Sequence, residues 1–253
     1  MRKIDGNVYF VSDCHFGVPN SSDSLLREKL LVKWLDSIKE KANYIILLGD
    51  VFDFWFEYKH VVPRGYTRLF GKFAELSDMG IKFIYFTGNH DLWVKNYFVD
   101  EFNFEMVRSS QTYLINGKKV FIGHGDGIGP KDMGYKIMKW LFDARFNRWV
   151  YSRLHPNFAF WLALLVSSKS RAANGNMDEI FHGEEKERLL QFARKTLLIE
   201  HFDYFIFGHR HLALEIEIAP NSKYINTGEW IKSFSFAQTE NDEIVLKSFK
   251  TNY

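Results

Sequence analysis

The chain has 253 residues, 46% hydrophobic and 25% charged, with a formal net charge of +2 at pH 7 and one cysteine. That balance suits a globular fold with a sizeable core and excludes general disorder, a globally basic nucleic-acid binder and an intramolecular disulfide framework. No apolar run approaches the ~20 residues that span a bilayer, and the N-terminus carries no leader pattern, so a cytoplasmic protein that at most lies on a membrane is expected.

In chain order, strands are expected at Val8–Ser12, Tyr44–Leu48, Lys82–Phe86 and Lys119–Gly123, with helical stretches near Asp23–Lys41 and Tyr66–Met79. Near-continuous apolar strands separated by helices imply a sheet covered on both faces. A later helix over Gly183–His201 leads into a strand at Asp203–Phe207. Shorter alternating strands follow at Leu212–Ile218, Lys223–Asn226, Phe234–Gln238 and Ile244–Phe249. This pattern predicts a layered α/β fold with two central sheets in a single domain over 1–253. The stretch of about 130–182 is aromatic, basic and helical, and reads as an insertion.

Short polar motifs follow five of these strands: Asp13-Cys14-His15, Gly49-Asp50-Val51-Phe52-Asp53, Gly88-Asn89-His90-Asp91, Gly123-His124-Gly125-Asp126 and Gly208-His209-Arg210-His211. Ligand sites of open α/β sheets lie beyond the carboxyl ends of the strands, so the five can converge. Asp13 and His15, like His209 and His211, are two apart and would share a face in extended backbone. Mixed carboxylate and imidazole donors suit Mn, Fe, Zn or a related divalent ion more than calcium. A pair of such ions can activate a water and stabilise charge on a phosphoryl group. Structural readings stand beside this one. Asp53 and Asp91 also suit helix caps, Asp126 an ordering of the His124 loop, Cys14 a small buried residue, and Gly228-Glu229-Trp230 a turn.

As a set, the five motifs resemble the calcineurin-like metallophosphoesterase family. The resemblance implies an αββα fold with two mixed β-sheets, and two divalent metal ions of which Mn2+ is the expected kind. It implies one metal held by Asp13, His15 and His211, the other by Asn89, His124 and His209, and Asp50 bridging them. His90 would assist at the phosphate or leaving group, oriented by Asp91 or another carboxylate.

The insertion bears on the substrate. From Lys131 to Ala173 it carries eight Lys or Arg against Asp132 and Asp143, interleaved with aromatics and with the apolar run Phe158–Val166. Basic amphipathic helices with aromatic faces suit a membrane interface or a groove for acyl chains. The bland alternative is that they pack on the core with a solvated charged face. Nucleic acid is disfavoured by the long apolar run, which offers no polar edge to phosphates.

The arrangement is similar to the UDP-2,3-diacylglucosamine diphosphatases of bacterial lipid A synthesis, which insert a helical lid between the fourth and fifth motifs. Gly49 to Trp55 resembles their second motif, which often carries Glu where this chain has Asp53. Ser170-Arg171-Ala172-Ala173-Asn174 resembles a lid segment whose Ser and Asn contact substrate, and Asp132 falls at an acidic contact. Implied substrate contacts are therefore Asn89, His90, Asp132, Ser170, Asn174 and His209. His90 replaces an Arg of the better-known members, and Met177 a Lys. The resemblance implies an acylated UDP-sugar substrate at the cytoplasmic face of the inner membrane, with UMP released. A phosphodiesterase acting on nucleotides or nucleic acid is the rival reading, and a non-catalytic scaffold a third.

Overall fold

Strands in this chain alternate between two apolar faces, and both faces are used. In the computed structural model, which describes residues 1–128, 144–174 and 180–250, twelve strands form two six-stranded sheets. One sheet contains Val8–Val11 (β2), Tyr44–Leu47 (β3), Lys82–Phe86 (β4), Glu105–Val107 (β5), Ser235–Glu240 (β11) and Glu243–Ser248 (β12), in the order β12-β11-β2-β3-β4-β5. The other contains Arg2–Ile4 (β1), Gln111–Ile115 (β6), Lys118–Ile122 (β7), Tyr204–Phe207 (β8), Ala213–Ala219 (β9) and Ser222–Thr227 (β10), in the order β1-β6-β7-β8-β10-β9.

Alternation decides which side chains meet. Val8 and Phe10 of β2, Ile46 of β3 and Ile84 of β4 face inward against Val120 and Ile122 of β7 and Ile206 of β8. The intervening Tyr9, Val11, Ile45, Leu47, Phe83 and Tyr85 face outward. There they meet helices Ser21–Ile38 (α1), Thr67–Asp78 (α2) and Tyr97–Phe102 (α3) through Leu31, Trp34, Phe73 and Phe98. Helix Arg188–Leu197 (α6) covers the far side of the other sheet, Leu189, Leu190 and Ala193 packing on Phe205, Phe207 and Tyr224. The layers are therefore αββα, as the motifs implied.

Helix α1 begins at Ser21, its N-cap Asn20 accepting the Asp23 amide at 2.9 Å, so a free donor of the first turn is satisfied. Helix α6 begins at Arg188, later than the apolar pattern suggests. Gly183 sits at φ 96° and a turn occupies the residues before it. The sequence reading passed over β1, β5, β6 and α3. Three are edge strands or single turns too short for a periodic signal. The β6–β7 hairpin did carry one, because Asn116-Gly117 is a two-residue turn with both φ positive, 47° and 80°.

Parallel pairing sets where the motifs go. β2, β3 and β4 run parallel in one sheet, and β7 and β8 run parallel in the other. Each set therefore ends on one edge, and the motif residues leave from those edges.

Within the insertion, helices Arg145–Tyr151 (α4) and Pro156–Asn174 (α5) are described. They dock on the loop after Asp53. The Tyr151 ring lies 4.7 Å from those of Phe56 and Trp93, Phe160 lies 5.1 Å from Phe54, and the Tyr58 hydroxyl donates to Leu154 O at 3.4 Å. Part of the aromatic surface turns outward: Phe146, Trp149, Phe158, Trp161 and Val166 are each at least half exposed. No helix among the described residues is long and apolar enough to cross a membrane.

Candidate metal centre

Five of the expected ligands sit in the left-handed backbone region, Asp13, His15, Asp50, His209 and His211 having φ between 43° and 70°. Non-glycine residues reach that region at a cost of roughly 1–2 kcal/mol each. Asp13 and His15, like His209 and His211, therefore do not share a face through extended backbone, contrary to what their spacing suggests. The strands have already ended, and tight turns rather than strand alternation aim these side chains. Backbone bonds across the strand ends hold the turns. The Asp13 amide donates to Gly49 O at 3.1 Å, the His15 amide to Asp50 O at 3.0 Å, and the Gly208 amide to His124 O at 3.0 Å. Gly49 has no room for a side chain: at φ 89°, an added Cβ would meet Gly88 N at 2.6 Å and His124 Nδ1 at 2.7 Å.

The turns bring all seven expected donors to one place. Asp13, His15 and His211 form one group and Asp50, His124 and His209 another, the ligand atoms of each lying within 4.8 Å of one another. Asn89 joins the second group, its Oδ1 3.2 Å from His124 Nε2. Asp50 touches both, with Oδ2 3.3 Å from His124 Nε2 and 3.8 Å from His15 Nε2. Its other oxygen accepts the His90 amide at 2.8 Å.

The donors have unmet needs that a pair of cations would satisfy. Asp13 Oδ1 is buried with no hydrogen-bond partner. The Nε2 atoms of His15 and His211 face each other at 3.0 Å. Carboxylate oxygens, imidazole nitrogens and one amide oxygen form a donor set for a first-row divalent ion. Electrostatics agree. Burial opposes charge on His15, yet Asp13, Asp53 and Asp50 outweigh it and push its pKa up to about 10. Burial alone would raise Asp13 and Asp50, but the surrounding imidazoles hold both below the usual carboxylate range. These carboxylates call for positive charge beside them, and imidazole ligands take a cation only by giving up a proton.

A second ring of residues fixes the first. His124 Nδ1 pairs with Leu48 O at 2.7 Å, so Nε2 is the nitrogen aimed at Asp50. Asp53 Oδ1 lies 3.4 Å from His15 Nδ1 and 3.5 Å from His90 Nδ1, and the Asp53 carbonyl is 3.0 Å from the same His90 nitrogen. The carboxylate that touches the His90 ring is Asp53, not the expected Asp91. Asp91 does something else. Its carboxylate accepts from the Val51 amide at 2.9 Å, the Gly88 amide at 2.7 Å and the Tyr85 hydroxyl at 2.6 Å. It thereby ties the turn carrying Asp50 to the turn carrying Asn89. Burial and the Asp50 charge push its pKa up to about 6, against the pull of Tyr85 and Gly88.

Other expected residues fall as follows. Asp126 is half-buried and its charge is felt at His124 and His209. Cys14 is wholly buried between the ligands. Asp132 lies outside the described residues, and Ser170 and Asn174 lie in α5 where side chains are outside the description. Sequence reading missed the support given by Arg27 and gave Gly228-Glu229-Trp230 only as a turn. The buried Arg27 guanidinium donates to the carbonyls of His15, at 2.9 Å, and Val18, bracing the Asp13–His15 loop. Glu229 accepts the amides of Lys232 and Ser233, both at 2.7 Å, in the turn from which the Trp230 amide reaches Asp13 O at 3.1 Å. Arg27 shows no local sequence signal, being one polar residue of helix α1.

Residues 6–213 match the calcineurin-like phosphoesterase family. A protein of Porphyromonas gingivalis named UDP-2,3-diacylglucosamine hydrolase is 34% identical over 96% of this chain and 97% of its own length. Proteins of the same name from a Shewanella strain and from Histophilus somni are 26% and 23% identical, over 94% and 88% of this chain and 96% and 91% of their own.

Proposed function

The chain belongs to the calcineurin-like phosphoesterase family, and from that premise we propose that it hydrolyses the pyrophosphate bond of UDP-2,3-diacylglucosamine, a step of lipid A synthesis, giving 2,3-diacylglucosamine 1-phosphate and UMP. The observation that carries this is the 34% identity to a hydrolase of that name, in an alignment that covers 96% of this chain.

Asp13, His15 and His211 would hold one divalent cation, Asn89, His124 and His209 the other, and Asp50 both; Mn2+ fits the donors. Cations bound there would polarise the phosphoryl oxygens and activate a water at neutral pH. The chain's own residues supply position and proton handling. Asp53 fixes His15 and His90, so that neither ring has to reorganise as charge develops. With Nδ1 paired to the Asp53 carbonyl, His90 has Nε2 left for the substrate, and its side chain is 20% exposed. We assign His90 to the developing charge on the phosphoryl or leaving oxygen. His90→Ala should lower kcat by about 10²-fold at unchanged metal content; a kcat within threefold of the parent would remove this role.

The insertion would act as the lid over the acylated sugar. The Ser167 hydroxyl, on α5, donates to Asp53 Oδ2 at 3.0 Å, linking that helix to the carboxylate behind His15 and His90. The outward aromatics, with Arg153 5.1 Å over the Trp149 ring, support peripheral contact with the inner-membrane surface. The protein should then sediment with anionic phospholipid vesicles at low salt, and a protein left wholly in the supernatant would count against such contact.

The reaction is tested by incubating purified protein and Mn2+ with UDP-2,3-diacylglucosamine and following UMP. Stoichiometric UMP and 2,3-diacylglucosamine 1-phosphate are expected. No UMP, from protein that still cleaves bis(4-nitrophenyl) phosphate, would leave the family assignment standing and sink the substrate.

A further inference from the structure

The two histidines of the last motif serve different metal groups. His209 lies with Asp50 and His124, and His211 with Asp13 and His15. Arg210 stands between them, so whatever holds Arg210 governs how the two imidazoles are aimed relative to each other.

This turn needs holding, because His209 and His211 have φ of 70° and 48°, a region unfavourable for a non-glycine residue. Its entrance is tied to the sheets. The His209 amide donates to Asp13 Oδ2 at 2.9 Å, and Gly208 O accepts from Asn226 Nδ2 at 2.6 Å and from the Arg210 amide at 2.8 Å. The Arg210 side chain adds a hold from another direction. Its Nε donates to Glu187 Oε1 at 2.9 Å and its Nη2 to Glu187 Oε2 at 3.1 Å, two bonds to one carboxylate. Such a fork fixes direction as well as distance.

Glu187 is a firm anchor. It is 2% exposed and is the N-cap residue of α6, whose Leu189 and Leu190 are buried against Phe205 and Phe207. The first turn of α6 also presses on the motif turns. Gly125 lies between Leu189 and His209: at φ 117°, an added Cβ would meet Leu189 Cδ1 at 2.9 Å and His209 Cβ at 3.3 Å. Desolvation largely offsets the attraction within a buried ion pair, so this pair is weak evidence for stability. What the fork supplies, and an apolar contact does not, is one defined arrangement of the turn.

We propose that Arg210 is a positioning residue: clamped by Glu187, it fixes the aim of His209 and His211 and so sets the affinity of the chain for both cations. It acts through these two ligands and not on the substrate. The role rests on the metal centre and is independent of which phosphoester is cleaved.

The test separates aim from stability. With Arg210→Met and Glu187→Met combined, both charges go and an apolar pair of similar length remains. Interiors commonly accept such a replacement without loss, so Tm should stay within about 3 °C of the parent. Methionine side chains are flexible and fix no direction. Titrated calorimetrically with Mn2+, the metal-stripped double variant should bind about 10–100-fold more weakly than the parent, the scale of losing an outer support of metal ligands. Should its Tm fall further, Glu187→Gln, which keeps the volume and one acceptor oxygen, should show about 10-fold weaker binding instead. Two ions bound within about threefold of the parent affinity by the double variant at parental Tm, or by Glu187→Gln, would overturn the role and leave a structural ion pair. A parent that takes up fewer than two ions would sink the metal centre and this role with it, whereas unchanged variants of a two-ion parent sink the role alone.

Discussion

Asp50→Asn should reduce turnover by about 10³-fold or more and lower the metal content from about two ions per chain toward one. The carboxylate lies within 3.3 Å of His124 Nε2 and 3.8 Å of His15 Nε2, so it is the anion shared by both groups. Asn keeps the shape but carries no charge and presents an NH2 donor where one oxygen stood. Two cations held there would lose the negative charge they share, and the stabilisation they would give a displacement at phosphorus would fall by several kcal/mol. Steady-state kinetics and elemental analysis together read the result. A variant that holds two metals and keeps a tenth of the parent kcat would contradict the shared site.

Asp91→Ala should cost about 3 kcal/mol of stability and raise the metal concentration for half-maximal activity by about 10–100-fold. The carboxylate satisfies three buried donors, the amides of Val51 and Gly88 and the hydroxyl of Tyr85. Alanine strands all three, and each unpaired buried group costs roughly 1–3 kcal/mol, partly recovered by relaxation. At about 2–4 °C per kcal/mol for a chain of this size, Tm should drop by roughly 6–12 °C. Val51 and Gly88 adjoin the ligands Asp50 and Asn89, so the loosened turns should weaken metal binding as loss of outer support does elsewhere. Because Asp91 does not touch the His90 ring, kcat at saturating metal should move far less than in His90→Ala. Thermal unfolding and a metal titration of activity separate these effects. If kcat collapsed at saturating metal while Tm and metal affinity held, Asp91 would have to act in the chemistry itself.

The sequence by itself determined the donor types and their order. Each ligand follows an apolar strand within four residues, and strands β2, β3, β4 and β8 are largely buried runs, and β7 an alternating one, that local pattern identifies. It determined the layers too, because two-residue alternation assigns Phe10 and Tyr9 to opposite faces. It could not decide roles that depend on partners distant in the chain. Asp53 reaches His90 across 37 positions and Asp91 reaches Val51 across 40, and spacing within a motif carries no information about either. Nor could it distinguish the left-handed turns at Asp13, His15, Asp50, His209 and His211 from extended backbone. Those conformations are unfavourable locally and persist only because bonds between strand ends, such as Asp13 N to Gly49 O, enforce them.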